Sequence, residues 1–183
     1  MMDANDYQKA AQRTVDHDCD NNIQNFMLGI IGESGEFADI IKKRRFQDMI
    51  ISDLKLKDEL GDLLWYVSNF ASEHGWSLEE LFGDVSSDFY HEVLALFVDT
   101  QDDPIYHCIL RIAERVGHLS HLMFSFTVHK RGNEYIQAVK SLLYWICAMA
   151  VALQTSIGKI MDMNIAKLEK RYPSGFVAGG GIR

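Results

Sequence analysis

The sequence predicts an all-α protein, a helical bundle, and three observations support this fold class. Apolar residues recur at steps of three and four over most of the 183 residues, which is the spacing of one face of an amphipathic helix. Only two prolines, Pro104 and Pro173, interrupt the chain, and proline is the residue that breaks helices most strongly. Start and stop signals for helices fall between the apolar segments.

The periodic segments define the expected helices in chain order. We place them at roughly 4–17, 22–45, 53–74, 78–97, 104–129, 133–154 and 157–171. The sequence Ser77-Leu78-Glu79-Glu80 is typical of a capping box at the start of the fourth helix. Asp102 and Asp103 supply an N-cap before Pro104, which suits the first turn of the fifth helix.

The ends of the later helices set the domain boundaries. Arg131-Gly132-Asn133 separates two long helices, and Pro173 with the Gly179-Gly180-Gly181 run ends the last one. We therefore expect residues 1–177 to form a single all-α domain, followed by a flexible tail at 178–183.

Composition and charge narrow the functional classes. The chain is 48% hydrophobic and 24% charged, as in ordinary globular proteins that bury a core. Its net charge of −8 repels nucleic acids and anionic membranes, so we expect neither as a partner. The most apolar run, Leu142 to Leu153, has twelve residues, whereas a membrane span needs about 18 or more. We expect it to be a buried helix.

The cysteines and the N-terminus indicate the compartment. Cys19, Cys108 and Cys147 are odd in number and have no metal-ligand spacing, which favours reduced thiols. The chain begins with polar and acidic residues rather than with a basic and then apolar leader. These features predict a cytoplasmic protein.

A weak internal duplication has a period of roughly eighty residues. It places the apolar positions of helices 22–45 and 53–74 over those of helices 104–129 and 133–154. In this register, acidic residues of the first copy align with other residue types in the second. Glu33, Glu36, Asp39, Glu59 and Asp62 correspond to Arg115, His118, His121, Ser141 and Tyr144. Because apolar periodicity alone can imitate a repeat, duplication and chance similarity both stay open.

The acidic residues of the first copy form two pairs with the same spacing. Glu33 and Glu36 lie three residues apart on one helix, and Glu59 and Asp62 do so on the next. This spacing puts each pair on one helix face, where like charges repel unless a cation joins them. Oxygen ligands suit Mg²⁺ or Mn²⁺. Two neighbouring helices with facing pairs predict a divalent cation site.

The alternative is a solvated acidic stripe in which Glu36 and Asp39 pair with Lys42 and Lys43 further along the helix. Glycines argue against it, because each costs about 0.5–1 kcal/mol relative to alanine inside a helix. We expect another group to approach the backbone closely at these glycines, which are Gly29, Gly32, Gly35 and Gly61.

At these residues the sequence resembles the MazG-like members of the all-α nucleoside triphosphate pyrophosphohydrolases. The first pair lies in Gly32-Glu33-Ser34-Gly35-Glu36, and the second in Glu59-Leu60-Gly61-Asp62-Leu63-Leu64-Trp65-Tyr66. Tyr7-Gln8 near the start and the segment from Asn164 to Pro173 also resemble the family. The resemblance covers residues 5–82 and 156–177, but not the stretch between them.

The resemblance implies Mg²⁺-dependent cleavage of a nucleoside triphosphate (NTP or dNTP) to the monophosphate and pyrophosphate, with Mn²⁺ as a possible substitute. It assigns the metal to Glu33, Glu36, Glu59 and Asp62, with Glu33 as the catalytic residue that activates water. Residues that would contact the substrate are Lys42, Lys43, Lys167 and Arg171 for phosphate and Asn69 for base or sugar. The family also implies a homodimer.

Two rival interpretations stay open. The middle of the chain resembles the degenerate second half of dimeric-type dUTP pyrophosphatases, so a dUTP or dCTP substrate is the first rival. Residues 1–100 would then be the catalytic hairpin repeat and 104–172 a degenerate repeat that acts as an internal pseudo-subunit. The second rival is a non-catalytic helical binding protein.

His118 and His121 lack a third ligand and are typical of a polar surface pair. Trp65, Trp76 and Trp145 are expected to pack in the core.

Overall fold

A computed structural model gives the fold and describes residues 2–83, 89–98, 103–124 and 132–176. These residues contain eight helices and no strand, which confirms the all-α prediction. The helices are α1 (Ala4–Gln12), α2 (Asn22–Phe46), α3 (Asp53–Glu73), α4 (Leu78–Phe82), α5 (Phe89–Val98), α6 (Pro104–Phe124), α7 (Gly132–Ala152) and α8 (Ile157–Arg171).

Two long hairpins form the centre of the bundle. A short connection at 47–52 lets α2 and α3 pack against each other, and α6 packs on α7. The two hairpins meet because α2 contacts α6 and α3 contacts α7. Helices α1 and α8 then pack on α3. Helix α3 is therefore surrounded, and most of its residues from Leu56 to Ala71 are buried.

A continuous apolar core joins both hairpins. It includes side chains that are fully buried in α2, α3, α6 and α7, such as Ile30, Leu64, Ile112 and Ile146. Burying such side chains is worth about 1.5–3 kcal/mol each relative to full exposure. The core fixes how α2 and α3 face each other, and this relation positions the acidic residues.

Capping side chains explain why several helices begin where the sequence predicts. Ser52, Ser77 and Ser156 each accept a hydrogen bond from the backbone N–H three residues later, which satisfies a donor that the first turn leaves free. Asp103 accepts one from the Ile105 N–H, next to Pro104. The predicted bounds of α2, α3 and α8 agree with the structure to within one residue.

The expected helix 78–97 is wrong as a single element. Helix α4 ends at Phe82 because Gly83 has φ 63° and ψ −167°, a backbone conformation that no helical residue adopts, and α5 begins at Phe89. The first helix also ends early, at Gln12 rather than 17. For the expected helix 104–129, α6 reaches Phe124, and 125–129 lie outside the described residues, as does the expected tail 178–183.

Helix α7 contains most of the apolar run from Leu142 to Leu153. Its segment Asn133–Ala152 is long and apolar enough to cross a membrane, but most of it is buried inside the bundle. Leu142, Ile146 and Met149 have no exposed surface. The buried helix expected from the apolar run is thus confirmed, and α7 serves as the core helix of the second hairpin.

The thiols differ in exposure. Cys108 and Cys147 are buried, and burial raises the pKa of each to about 12, so both remain protonated thiols at neutral pH. Cys19 is exposed in the connection between α1 and α2. The two cysteines in apolar stretches therefore pack as small apolar side chains.

Candidate metal centre

Three carboxylates from two helices converge where α2 faces α3. Glu33 on α2 and both Glu59 and Asp62 on α3 offer one oxygen each, and these oxygens lie within 4.8 Å of one another. Glu59 is only 4% exposed. Burying ionised carboxylates together is costly unless cations compensate them. The donor set is therefore suited to a divalent cation that prefers oxygen ligands.

Lysines compensate the charge on the α3 side of the cluster. Lys55, one turn before Glu59, forms an ion pair with its carboxylate. The hydrogen bond to Glu59 raises the pKa of Lys55, which keeps this lysine charged. From α8, the Lys167 Nζ lies 2.6 and 2.7 Å from the two carboxylate oxygens of Asp62 and 2.8 Å from Asp58 Oδ1. The ammonium groups of two lysines thus contact the carboxylates that would bind a metal.

The Asp62 carboxylate sits in a partly buried environment with a second partner from α8. Burial raises the pKa of Asp62, and the hydrogen bond and charge of Lys167 partly oppose that increase. The Asn164 Nδ2 donates to Asp62 Oδ1 at 3.2 Å. The Tyr7 hydroxyl of α1 in turn donates to Asn164 Oδ1 at 2.9 Å. Burial, with the charge of Asp62, holds the pKa of Tyr7 well above its usual value, so its hydroxyl remains a donor.

An aromatic cavity of about 360 Å³ adjoins the carboxylates. Glu33 and Asp62 line one part of it, and Phe26, Trp65 and Tyr66 line another. The three rings contact one another edge to face, with centroids 4.8 to 6.4 Å apart. Further residues lining the cavity come from the loop after α1 and from the end of the described chain: Thr14, Asp16, Cys19, Tyr172 and Phe176. Flat rings beside the carboxylate cluster form a suitable place for a planar ligand group.

Trp65 is held in place by the last turn of α1 and the loop that follows it. Its indole Nε1 donates to Thr14 Oγ1 at 3.0 Å and to the Ala11 carbonyl oxygen at 3.3 Å. The expectation that this tryptophan packs in the core is therefore incomplete, because Trp65 packs against the core and also lines the cavity. Trp76 and Trp145 are also half-buried and pack against the core.

Close approach explains two of the four helical glycines. A Cβ atom at Gly29 would lie 2.1 Å from the Tyr66 ring, and one at Gly61 would lie 3.1 Å from the Asn164 Cβ. The expectation of close approach is wrong at Gly32 and Gly35, where no described atom lies within 4 Å of the Cβ position. The reason is that this face of α2 points outward, since Gly32 and Gly35 are both exposed.

Glu36 and the lysines that follow it lie beside the cluster rather than in it. Glu36 is exposed and is not among the three carboxylates that converge, although it lines a groove of about 610 Å³ together with Glu59 and Lys43. Lys42 and Lys43 both pair with Asp39. Of the four carboxylates predicted to bind the metal, three therefore converge and Glu36 does not. Asp39 pairs with lysines, as the alternative of a solvated acidic stripe predicts.

The remaining predicted substrate residues fall in different places. Asn69 is only 1% exposed, and its Nδ2 donates to the Trp65 carbonyl oxygen at 2.9 Å, which leaves almost no surface for a substrate to touch. Arg171 is exposed at the end of α8 and lines both the aromatic cavity and a second groove of about 580 Å³. This second groove also contains Lys55, Glu59 and Lys167. The basic rim of the site therefore comes from α3 and α8.

Sequence reasoning missed Lys55, Asp58 and the hydrogen-bonding role of Asn164. A spacing of four from Lys55 to Glu59 was a readable signal, because such residues are neighbours on a helix. Asn164 gave no comparable signal, since its contact with Asp62 joins residues that are 102 positions apart. Only the packing of α8 on α3 brings them together.

Comparisons with known proteins match the segment that carries the acidic residues. The family model for the MazG nucleotide pyrophosphohydrolase domain matches residues 21–88, a range that includes α2 and α3 with all of their acidic residues. The Gene 37 protein of Mycobacterium phage L5 is 36% identical over an alignment of 77 residues, which covers 37% of this chain and 68% of the phage protein. No solved structure matches the chain significantly.

Proposed function

Because the chain belongs to the MazG nucleotide pyrophosphohydrolase family, we propose that it hydrolyses a nucleoside triphosphate to the monophosphate and pyrophosphate with the help of Mg²⁺. The observation that carries this proposal is the convergence of Glu33, Glu59 and Asp62 beside an aromatic cavity. The family accounts for the reaction class, and the site accounts for where both ends of a nucleotide would bind.

The donor set fits a magnesium ion. The oxygens of Glu33, Glu59 and Asp62 are hard ligands that lie close enough to share one ion. Mn²⁺, which accepts the same ligands, is expected to substitute. A bound ion would supply positive charge that offsets the triphosphate and polarises its phosphorus–oxygen bonds.

The side chains around the ion site would bind and orient the substrate. Lys55, Lys167 and Arg171 border the groove next to the carboxylates, where they would contact phosphate oxygens. Lys42 and Lys43 lie further along α2 and pair with Asp39, so we assign them a smaller contribution. Glu33 faces the cavity as well as the cluster, and we assign it the task of orienting the attacking water and accepting its proton.

The aromatic cavity would hold the nucleobase. Every base has a flat π surface, and stacking on an aromatic side chain contributes about 1–3 kcal/mol per base in nucleic-acid complexes. Trp65 and Tyr66 provide such surfaces within the cavity that Glu33 and Asp62 also line. A triphosphate bound with its base there would extend its phosphates toward the carboxylates and the lysines of the neighbouring groove.

The direct test is pyrophosphate release from a mixture of NTPs and dNTPs with and without Mg²⁺. We expect release that requires the metal, and a screen of single nucleotides then separates a general substrate range from preference for dUTP or dCTP. Metal binding without pyrophosphate release at any nucleotide would contradict the proposal and favour the non-catalytic binding protein. The homodimer and the cytoplasmic location stay predictions, which sedimentation and fractionation can test.

A further inference from the structure

We propose that Tyr7 and Asn164 are positioning residues, which hold the Asp62 carboxylate in the orientation needed for metal binding through a buried chain of hydrogen bonds. This inference rests on the proposed function, because it assigns Asp62 to a metal. It adds two residues that contribute no oxygen to the cluster of carboxylates.

The chain of hydrogen bonds crosses three helices. Tyr7 on α1 is 0% exposed and Asn164 on α8 is 2% exposed, so both polar groups lie inside the bundle. The distance from the Tyr7 hydroxyl to Asn164 Oδ1 is 2.9 Å, and from Asn164 Nδ2 to Asp62 Oδ1 it is 3.2 Å. Helices α1 and α8 both pack on α3, which carries Asp62. The bundle core therefore determines where this carboxylate oxygen points.

The chemistry of the three groups fixes the direction of the chain. An ionised carboxylate only accepts hydrogen bonds, so the Asn164 amide must present its Nδ2 to Asp62. Its Oδ1 then faces Tyr7, whose hydroxyl must donate. Without that hydroxyl, the buried Oδ1 would lose its partner, which is costly in a site closed to water. Each link thus keeps the next one in its orientation.

Gly61 makes room for this arrangement. A Cβ atom at position 61 would lie 3.1 Å from the Asn164 Cβ and 3.2 Å from its Nδ2, which is closer than such atoms normally approach. A side chain at the residue before the aspartate would therefore displace the Asn164 amide by a few tenths of an ångström. Glycine inside α3 makes the helix about 1 kcal/mol less stable than alanine would. The contact between Asn164 and Asp62 gives a structural reason for glycine at this position.

Lys167 cannot serve the same purpose. Its ammonium group contacts both Asp62 oxygens and Asp58, but the side chain is 29% exposed and carries that group on a flexible stem. It can rotate into the groove that it lines with Arg171. Asn164 is buried and held by Tyr7, so it stays with Asp62 whatever Lys167 does.

The test measures Mn²⁺ affinity by electron paramagnetic resonance for the full chain and for Tyr7→Phe, which removes only the hydroxyl. We expect the Kd to rise about tenfold, the range found when an outer partner of a metal ligand is lost. The matched control is Tyr135→Phe, another buried tyrosine, which lies near His74. His74 is twelve residues and about 18 Å along α3 from Asp62. This control should not change the Kd.

Three further variants, Gly61→Ala, Asn164→Ala and the double variant with Tyr7→Phe, separate positioning from general destabilisation. Gly61→Ala should raise the Mn²⁺ Kd as Tyr7→Phe does, because it displaces the same amide. Combining Tyr7→Phe with Asn164→Ala should weaken Mn²⁺ binding no more than Asn164→Ala alone, since both act through one chain. Full additivity of the two effects on the Kd would contradict a shared chain.

The outcomes for the inference and for the proposed function are distinct. If Tyr7→Phe binds Mn²⁺ as the wild type does, or if Tyr135→Phe weakens binding equally, the inference is overturned while the metal site stands. If the wild type binds Mn²⁺ but releases no pyrophosphate, the proposed function fails and the affinities still decide the positioning role. If the wild type binds no Mn²⁺, both are overturned.

Discussion

The hairpins α2–α3 and α6–α7 share an apolar pattern but differ in their polar residues. Leu60 and Leu64 on α3 have no exposed surface, and neither do their counterparts Leu142 and Ile146 on α7. On the outer faces the match continues, since Leu28 of α2 is 68% exposed and the corresponding Leu110 of α6 is 54% exposed. The register that aligns the two sequences therefore also aligns inside with inside and outside with outside.

The polar positions separate the two hairpins chemically. Where the first hairpin brings Glu33, Glu59 and Asp62 together, the second has Arg115, Ser141 and Tyr144. A partly buried carboxylate cluster weakens the fold unless cations compensate it. The comparison indicates that apolar spacing specifies the bundle, whereas a few polar positions on one hairpin specify the site.

The largest expected difference between the hairpins is in turnover. Glu59→Gln keeps the size of the side chain but removes the charge of a carboxylate to which we assign the metal. It should cut pyrophosphate release by more than the roughly 10–100-fold that loss of an outer partner costs. Ser141→Ala, at the equivalent position of α7, should change it by less than about twofold. Equal effects in steady-state assays of the two variants would contradict the comparison.

Core packing should give equal effects in both hairpins. Leu64→Ala and its counterpart Ile146→Ala each remove a fully buried aliphatic side chain, which costs about 2–5 kcal/mol of unfolding free energy. Urea denaturation of the full chain measures both values. A cost below about 1 kcal/mol for Ile146→Ala alone would show that α6–α7 is only loosely packed, and would remove the basis for treating it as a structural counterpart of α2–α3.

A smaller effect is expected at the edge of the acidic cluster. Glu36 is exposed and outside the three converging carboxylates, so Glu36→Gln should lower pyrophosphate release about tenfold, less than Glu59→Gln. His118→Gln, at the equivalent place on α6, should leave Mg²⁺ affinity and turnover nearly unchanged. Magnesium titrations of both variants decide the ranking. A loss for Glu36→Gln as large as for Glu59→Gln would make Glu36 a direct ligand.

The smallest effect is expected for Asp39, the last acidic residue of α2, whose carboxylate is exposed. Hydrogen bonds from Lys42 and Lys43 hold the pKa of Asp39 below its usual value. Its ionised form therefore stabilises the fold at neutral pH, and this contribution disappears as the pH falls through the lowered pKa. Because the group is exposed, Asp39→Asn should lower the Tm at pH 7 by about 1 °C or less. At a pH below that pKa, calorimetry should find no difference; a difference that grows in acid would contradict this sign.

Local signals account for what the sequence predicted well. The cap at Ser77 and the Asp103 cap beside Pro104 mark the starts of α4 and α6, and the Glu-x-x-Asp spacing marks the two α3 carboxylates that converge with Glu33. The missed break at Gly83 depends on one backbone conformation, which apolar spacing cannot reveal. The link from Tyr7 through Asn164 to Asp62 depends on how α1 and α8 pack on α3, and packing between distant segments leaves no local pattern in the sequence.

Placing the metal directly by paramagnetic NMR tests the central claim that one hairpin carries the site. Titrating the isotope-labelled full chain with Mn²⁺ broadens amide signals according to their distance from the ion. We predict the strongest broadening at the N–H groups of Glu33, Glu59 and Asp62, which fades toward their counterparts Arg115, Ser141 and Tyr144. Strongest broadening on α6 or α7, or uniform weak broadening over the acidic surface, would contradict the account.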